Sequence, residues 1–378
     1  MAASSPFEPK RLKIARQFHG YTQADLGERI GVSRQFLNQL ESGARTPSDE
    51  MYGALAAALH VEREFFSTPL QTELEPDECN FRSLESSRVR DLEQVLAHGS
   101  LLADLVRLLE KELEFPEVNF PHYKAEDFEG VERAAERARL HWQLTPDQPI
   151  ENTIRVAERA GAVVVKFPGV AHEIDALSVS GARPLIVRAS EKEKQTRLRF
   201  DIAHEIGHLV MHQKRSRPPH DEAEKQANRF ASAFLLPRKV FVKEFPSGLR
   251  LDWHRIFQLK REWKVSAQAI LRRAVDLQII DAAQYRSGCV FISKQGFRKN
   301  EPFEPDDIET PELLREALIQ LQKAEGLLPK DVAQRLGVQP VMLGKLLHIS
   351  IPDLKQADPR TVVNLNARLD WSKAKWYM

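Results

Sequence analysis

The chain has 378 residues, with 55 Lys plus Arg against 54 Asp plus Glu and a formal net charge of +1. A 42% hydrophobic, 29% charged composition excludes a disordered or fibrous chain, and near-neutrality excludes a globally basic coat for nucleic acid. There is no apolar run of about 18 residues, no signal-peptide order at the N-terminus, and only two cysteines, Cys79 and Cys289. The expectation is a cytoplasmic protein of two or three domains with no membrane partner.

Thr22 is a good helix N-cap for a short helix over 23–30, and Gly31 supplies the left-handed backbone that a tight inter-helix turn needs. Val32 plugs that turn and Ser33 caps a second helix. On it Phe36, Leu37 and Leu40 face inward, while Arg34, Gln35, Asn38 and Gln39 face outward. Those outward side chains are the types that read base edges in a major groove. Gln23, and Arg45 in the loop beyond, complete the candidate DNA contacts. Local charge agrees: from Pro9 to Arg45 there are seven bases (Lys10, Arg11, Lys13, Arg16, Arg29, Arg34, Arg45) and three acids (Asp25, Glu28, Glu41). Pro9 to Phe66 resembles the phage-repressor (Xre/Cro-like) helix-turn-helix family. The resemblance implies a five-helix domain acting as a homodimer on a pseudo-palindromic double-stranded operator.

Ser67 to Asn80, with two prolines and four acids, reads as a linker. From Leu84 to Leu113 apolar residues recur at three and four, predicting an amphipathic arm, either one helix or two broken near Gly99. Beyond Pro116 and Pro121, helical patterns at 131–142 and 150–160 alternate with β-rich runs at 162–167 and 184–188.

The second constellation is Arg199-Phe200-Asp201-Ile202-Ala203-His204-Glu205-Ile206-Gly207-His208. His204 and His208 lie one helical turn apart and can share an ion, while Glu205 is rotated about 100° from His204, placed to take a proton from water. Catalytic zinc needs a third ligand. Downstream, Glu224 sits on the apolar stripe of a helix with Ala227, Phe230, Ala231, Phe234 and Leu235, and a buried acid calls for a cation. His212 and His220 are the competing ligands. Three ligands at spacings of four on one straight helix cannot converge, since the outer pair is about 12 Å apart. His212 therefore reads as a supporting or core residue, and His220 as an exposed loop residue. Asp201 and Asn228 are further candidates for orienting a ligand imidazole.

Together the segments R-F-x-x-A-H-E-x-G-H and E-x-x-A-N-x-F-A-x-x-x-L-x-P resemble the ImmA/IrrE family of zinc metallo-endopeptidases, over about Glu129 to Pro302. Asp175-Ala176-Leu177-Ser178 and Trp263-Lys264-Val265-Ser266 extend the likeness. The resemblance implies a zincin-like fold with Zn2+ held by His204, His208 and Glu224, and Glu205 as general base. An extended substrate would then pair with an edge strand near Asp175 to Ser180 or Pro184 to Arg188.

A second proline-rich acidic stretch, 301–307, reads as a break before a helical tail. Within the tail, Pro329 to His348 repeats helix, Gly-Val turn and helix, without the Arg/Asn/Gln cluster of a reader. The final Trp371 to Met378 carries aromatics suited to docking. The expected fold is α+β and mostly helical. Its parts are an all-α helix-turn-helix domain (1–70), a linker and helical arm (71–120), a metallopeptidase domain with a small sheet (121–302) and a helical C-terminal region (303–378). The expected function is a DNA-binding regulator whose zinc peptidase cleaves a repressor or antitoxin-like protein. The alternatives are a non-proteolytic transcription factor with a sensing or scaffolding metal domain, and an antitoxin-like module.

Overall fold

The computed structural model describes residues 7–74, 79–81, 89–167, 176–179, 181–188, 194–212, 218–246, 248–298 and 300–349. The fold is α+β and mostly helical. Four short helices come first, α1 (Pro9–Phe18), α2 (Gln23–Ile30), α3 (Arg34–Glu41) and α4 (Asp49–Leu59), followed by a 3-10 turn at Arg63–Ser67. Local chemistry accounts for the α2–α3 unit. Thr22 and Asp25 form a reciprocal capping box, Gly31 adopts φ 73°, and the Ser33 hydroxyl accepts the Phe36 N–H. Leu37 and Leu40 are buried as expected, and Phe36 only half so.

The predicted arm is one helix, α5 (Val89–Glu110), unbroken through Gly99; positions 84–88 lie outside the described residues. It does not project. Val95, Leu101, Leu102, Leu105 and Leu109 are buried in one core with Leu12, Phe18, Leu55 and Phe65 of the N-terminal helices. The same core takes in three helices from the other end of the chain: α14 (Leu313–Glu325), α15 (Pro329–Leu336) and α16 (Pro340–Leu347). The α15–α16 turn is stitched to the N-terminal unit by backbone: Val61 bridges Val338, Glu62 N–H donates to Gly337 O (2.8 Å) and Gln339 N–H to His60 O (2.9 Å). The tail hairpin thus packs on the helix-turn-helix unit. Trp371 to Met378 lie outside the described residues.

A four-stranded sheet divides this core from a second one. Its order is β1-β3-β4-β2, with β1 (Cys79–Phe81), β2 (Val163–Lys166), β3 (Ala176–Val179) and β4 (Leu185–Arg188). β2 and β4 run parallel; β1 and β3, and β3 and β4, run antiparallel. Both faces are buried, so β2 and β4 read as continuous apolar runs. Val163, Val165, Leu185 and Val187 face the first core, and Val164 and Ile186 the second. Two expectations fail here. β3 and β4 are the inner strands, so neither 176–179 nor 185–188 offers a free edge; Asp175 and Ser180 themselves lie outside the described residues. The predicted linker also ends in a strand.

The second core is helical: α6 (Phe128–His141), α7 (Thr153–Arg159), α8 (Gln195–Met211), α9 (His220–Leu235), α10 (Arg238–Glu244), α11 (Trp253–Trp263), α12 (Ala267–Asp276) and α13 (Ala282–Lys294). Lys264 turns left-handed after α11 and Ser266 caps α12. Among the described residues no helix is long and apolar enough to cross a membrane.

The acidic stretch expected to separate the tail is instead a strap across this core. Glu301 accepts from Lys260 Nζ (2.8 Å) and Ala267 N–H (2.9 Å), and Glu304 from Thr196 N–H (2.8 Å) at the start of α8. Glu309 accepts from Thr153 N–H (2.7 Å) at the start of α7 and from the Arg199 guanidinium on α8. Carboxylates at helix N-termini satisfy orphan donors and the helix dipole together.

His98 joins the parts. Fully buried, it stacks on Phe167 beyond β2 (3.7 Å between centroids) and on Phe18 of α1 (5.8 Å), and pairs with Leu346 O of α16 (2.8 Å). Burial drives its pKa down from 6.5 to about 3, against the smaller opposing effect of the Leu346 carbonyl. The folded state therefore stays neutral where the unfolded state takes up a proton. Its contribution to stability is full above about pH 6.5 and is lost as pH falls toward about 3, by up to about 1.4 kcal/mol per unit. His98→Phe should flatten the stability–pH curve over that window, measured by urea unfolding; an unchanged slope would refute this assignment.

Candidate metal centre

Two crossing helices make the site. α8 is buried over almost its whole length, and α9 crosses it closely because Gly207 has no side chain: a Cβ there would sit 2.9 Å from Phe230 Cδ1 and 3.1 Å from Phe230 Cβ. That contact gives the glycine of the His-Glu-x-Gly-His run a reason its sequence alone does not reveal. Across the crossing, His204 Nε2 and His208 Nε2 are 3.0 Å apart. The Glu224 carboxylate lies 3.3 Å from the first and 3.1 Å from the second. These three side chains form the one group among the described residues whose ligand atoms converge within 4.8 Å in a set fit to hold a metal ion. Burial alone would raise the Glu224 pKa. Where the two imidazoles carry a proton toward it they outweigh burial and hold the carboxyl well below the usual range; in the ligating tautomers a cation takes that part.

Hydrogen bonds set the tautomers. Asn228 Nδ2 donates to the Glu224 backbone carbonyl (2.8 Å), so its Oδ1 faces His204 Nδ1 (3.2 Å) as an acceptor. His204 therefore carries its proton on Nδ1 and offers the Nε2 lone pair. A longer relay serves His208. Gln226 Nε2 points to Glu222 Oε1 (3.4 Å), its Oε1 accepts from His212 Nε2 (2.9 Å), and His212 Nδ1 accepts from His208 Nδ1 (2.9 Å). His208 Nε2 is left with its lone pair as well. Two imidazole lone pairs and a carboxylate converging this closely repel one another unless a cation lies between them. The donor set fits a divalent ion that takes nitrogen and oxygen ligands, zinc among them.

Glu205 is buried on α8 beside His204. Asp201, also buried, lies one turn before Glu205 with Arg197 Nε 3.8 Å from its carboxylate. His220 is the first residue of α9 and half-buried, a correction to its expected place in an exposed loop. Gln226 escaped the sequence reading; the available signal was His212 one turn beyond His208 with an amide two residues before Asn228. Gln226→Leu should weaken metal affinity about 10- to 100-fold, with Gln226→Glu retaining more of it. Competition with a chromophoric chelator reads this out, and equal affinity in all three proteins would remove the relay.

On the N-terminal unit, Arg34, Gln35, Asn38 and Arg45 are exposed, and Gln39 is half-buried. Gln23 donates to Glu41 Oε2 (2.8 Å), which also pairs with buried Arg16. Of the seven bases in this segment, Arg11 and Arg16 are buried in ion pairs with Asp104 and Glu41. The positive charge available to phosphate is correspondingly smaller than the sequence count.

Fold and site together define a helix-turn-helix unit joined to a metallopeptidase-type domain. Comparison with known families agrees: residues 12–66 match the helix-turn-helix family and residues 157–275 the IrrE N-terminal-like domain family. Residues 12–66 thus resemble an Xre-like helix-turn-helix and residues 157–275 an ImmA/IrrE-like domain, which supports a DNA-binding regulator carrying a peptidase-type domain. No curated protein matches the chain.

Proposed function

We propose that this protein is a cytoplasmic regulator that binds a double-stranded operator as a homodimer. With Zn2+ at His204, His208 and Glu224, it cleaves a repressor or antitoxin-like protein controlling stress, phage or mobile-element genes. The observation that carries the enzymatic half is the convergence of three donor groups across α8 and α9 beside buried Glu205. On the reader, Arg34, Gln35, Asn38 and Gln39 supply base-edge contacts, with Gln23 and Arg45 at the margin toward phosphate.

Glu205 is the general base: it accepts a proton from the attacking water and delivers it to the leaving amine. An ion held by His204, His208 and Glu224 would supply Lewis-acid polarisation of the scissile carbonyl and make nearby water more acidic. Asn228 and the His212–Gln226 relay keep the ligand imidazoles in the ligating tautomer, with Asp201 a further candidate for orienting one. Incubating the zinc-loaded protein with proteins encoded beside it should yield one discrete cleavage that a chelator stops. Intact partners, in the presence of stoichiometric zinc, would remove the proteolytic half of the proposal and leave the DNA-binding half.

A further inference from the structure

The outer edge of β3 is filled by a piece of the chain from far upstream. Cys79, Asn80 and Phe81 pair antiparallel with Val179, Ser178 and Leu177. β3 is also the strand on which α8, the His204–His208 helix, packs. Without β1, β3 would be the edge of the sheet nearest the metal helix, presenting unpaired N–H and C=O groups in a row. Such an edge is a template for any extended peptide.

β1 is a weak occupant. It is three residues long, and Asn is depleted in strands. It arises in the segment between the helix-turn-helix unit and α5 rather than in a hairpin with β3. Tethering holds it in place at a high effective concentration despite few ladder bonds, and an extended segment with a longer ladder can displace it.

We propose that Cys79–Phe81 is a resident strand in the substrate's place: the outer edge of β3 is the peptide-binding edge of the metal site, and β1 must leave before an extended protein segment can pair there. The inference rests on the proposed peptidase reading and adds what the substrate must be, an unfolded or loop segment able to run antiparallel to β3. It also gives the site a built-in competitor, carried on the stretch that leads out of the DNA reader.

The test uses the full-length zinc-loaded Glu205→Gln protein, so that binding is measured without turnover. Its probe is a fluorescein-labelled peptide carrying residues 77–83 with serine at position 79. Two releases of β1 are made in that background: a double substitution, Cys79→Pro with Phe81→Pro, and a milder triple one, Cys79→Gly, Asn80→Gly and Phe81→Gly. Proline removes ladder donors and glycine lowers strand propensity without blocking them. Circular dichroism and zinc content confirm folding. Fluorescence anisotropy should show the peptide binding at least ten-fold more tightly to a folded release variant than to the parent, and hydrogen exchange at 176–179 should speed up on release and slow again with peptide. Equal peptide affinity in parent and folded release variants would overturn the proposal. Peptide binding on release, with the proteins encoded beside it left intact by the same zinc-loaded variants carrying Glu205, would keep the resident strand and remove the peptidase reading instead.

Discussion

Glu205→Gln should keep its bound metal and lose cleavage of a true substrate. The substitution is nearly isosteric, leaves His204, His208 and Glu224 in place, and removes only the group able to accept a proton. General-base contributions of about 10²- to 10⁴-fold set the minimum expected loss, and a base essential for activating water takes the rate to background. The result is informative because two other outcomes have distinct meanings. Retained cleavage would show that Glu205 is not the base, whereas loss of zinc along with activity would show that Glu205 helps hold the ion. Burial of Glu205 in α8 makes a structural contribution separable by comparing unfolding midpoints of the two proteins.

The second large effect concerns the strap. Glu309→Ala should destabilise the protein by about 3–5 kcal/mol, the range for removing one partner of a buried ion pair. Arg199 is fully buried; burial lowers its pKa against the favourable pull of Glu309. Its remaining bonds are to the Ile150 and Glu151 carbonyls, which do not neutralise a guanidinium. The same substitution strips α7 of the carboxylate accepting from Thr153 and Ile154 N–H. Urea unfolding of wild type, Glu309→Ala and Glu309→Gln separates the terms, since Gln retains hydrogen bonding without the charge. A loss below about 1 kcal/mol for the alanine variant would mean that water or the flanking carbonyls satisfy Arg199 without Glu309.

What the sequence revealed and what it hid divide by the range of the interactions. The α2–α3 unit was legible because its determinants are neighbours in the chain: Thr22 with Asp25, Gly31 in the turn, Ser33 ahead of Phe36. His204 and His208 were legible for the same reason, since helical spacing alone brings them together. Glu224 needed two signals, its place on an apolar stripe and the likeness of the whole pattern to a known family. Features made by partners far apart were not legible. The acids of 301–307 read as a break before the tail until the N-termini of α8 and α12 and the buried Lys260 come into view. Glu309, just beyond them, meets the N-terminus of α7 and the buried Arg199. Cys-Asn-Phe carries no strand pattern, because its pairing is supplied by β3. The period of α5 was visible, but its partners come from both ends of the chain.

The central claim is that His204, His208 and Glu224 hold one divalent ion. Metal analysis of the purified protein, after zinc loading and extensive dialysis, tests it most directly beside His204→Ala and Glu224→Ala. One zinc per chain in the wild type, with near-zero occupancy in both variants and unchanged helical content, is the predicted result. A folded wild-type protein that binds no zinc, or variants that keep it at full occupancy, would contradict the claim.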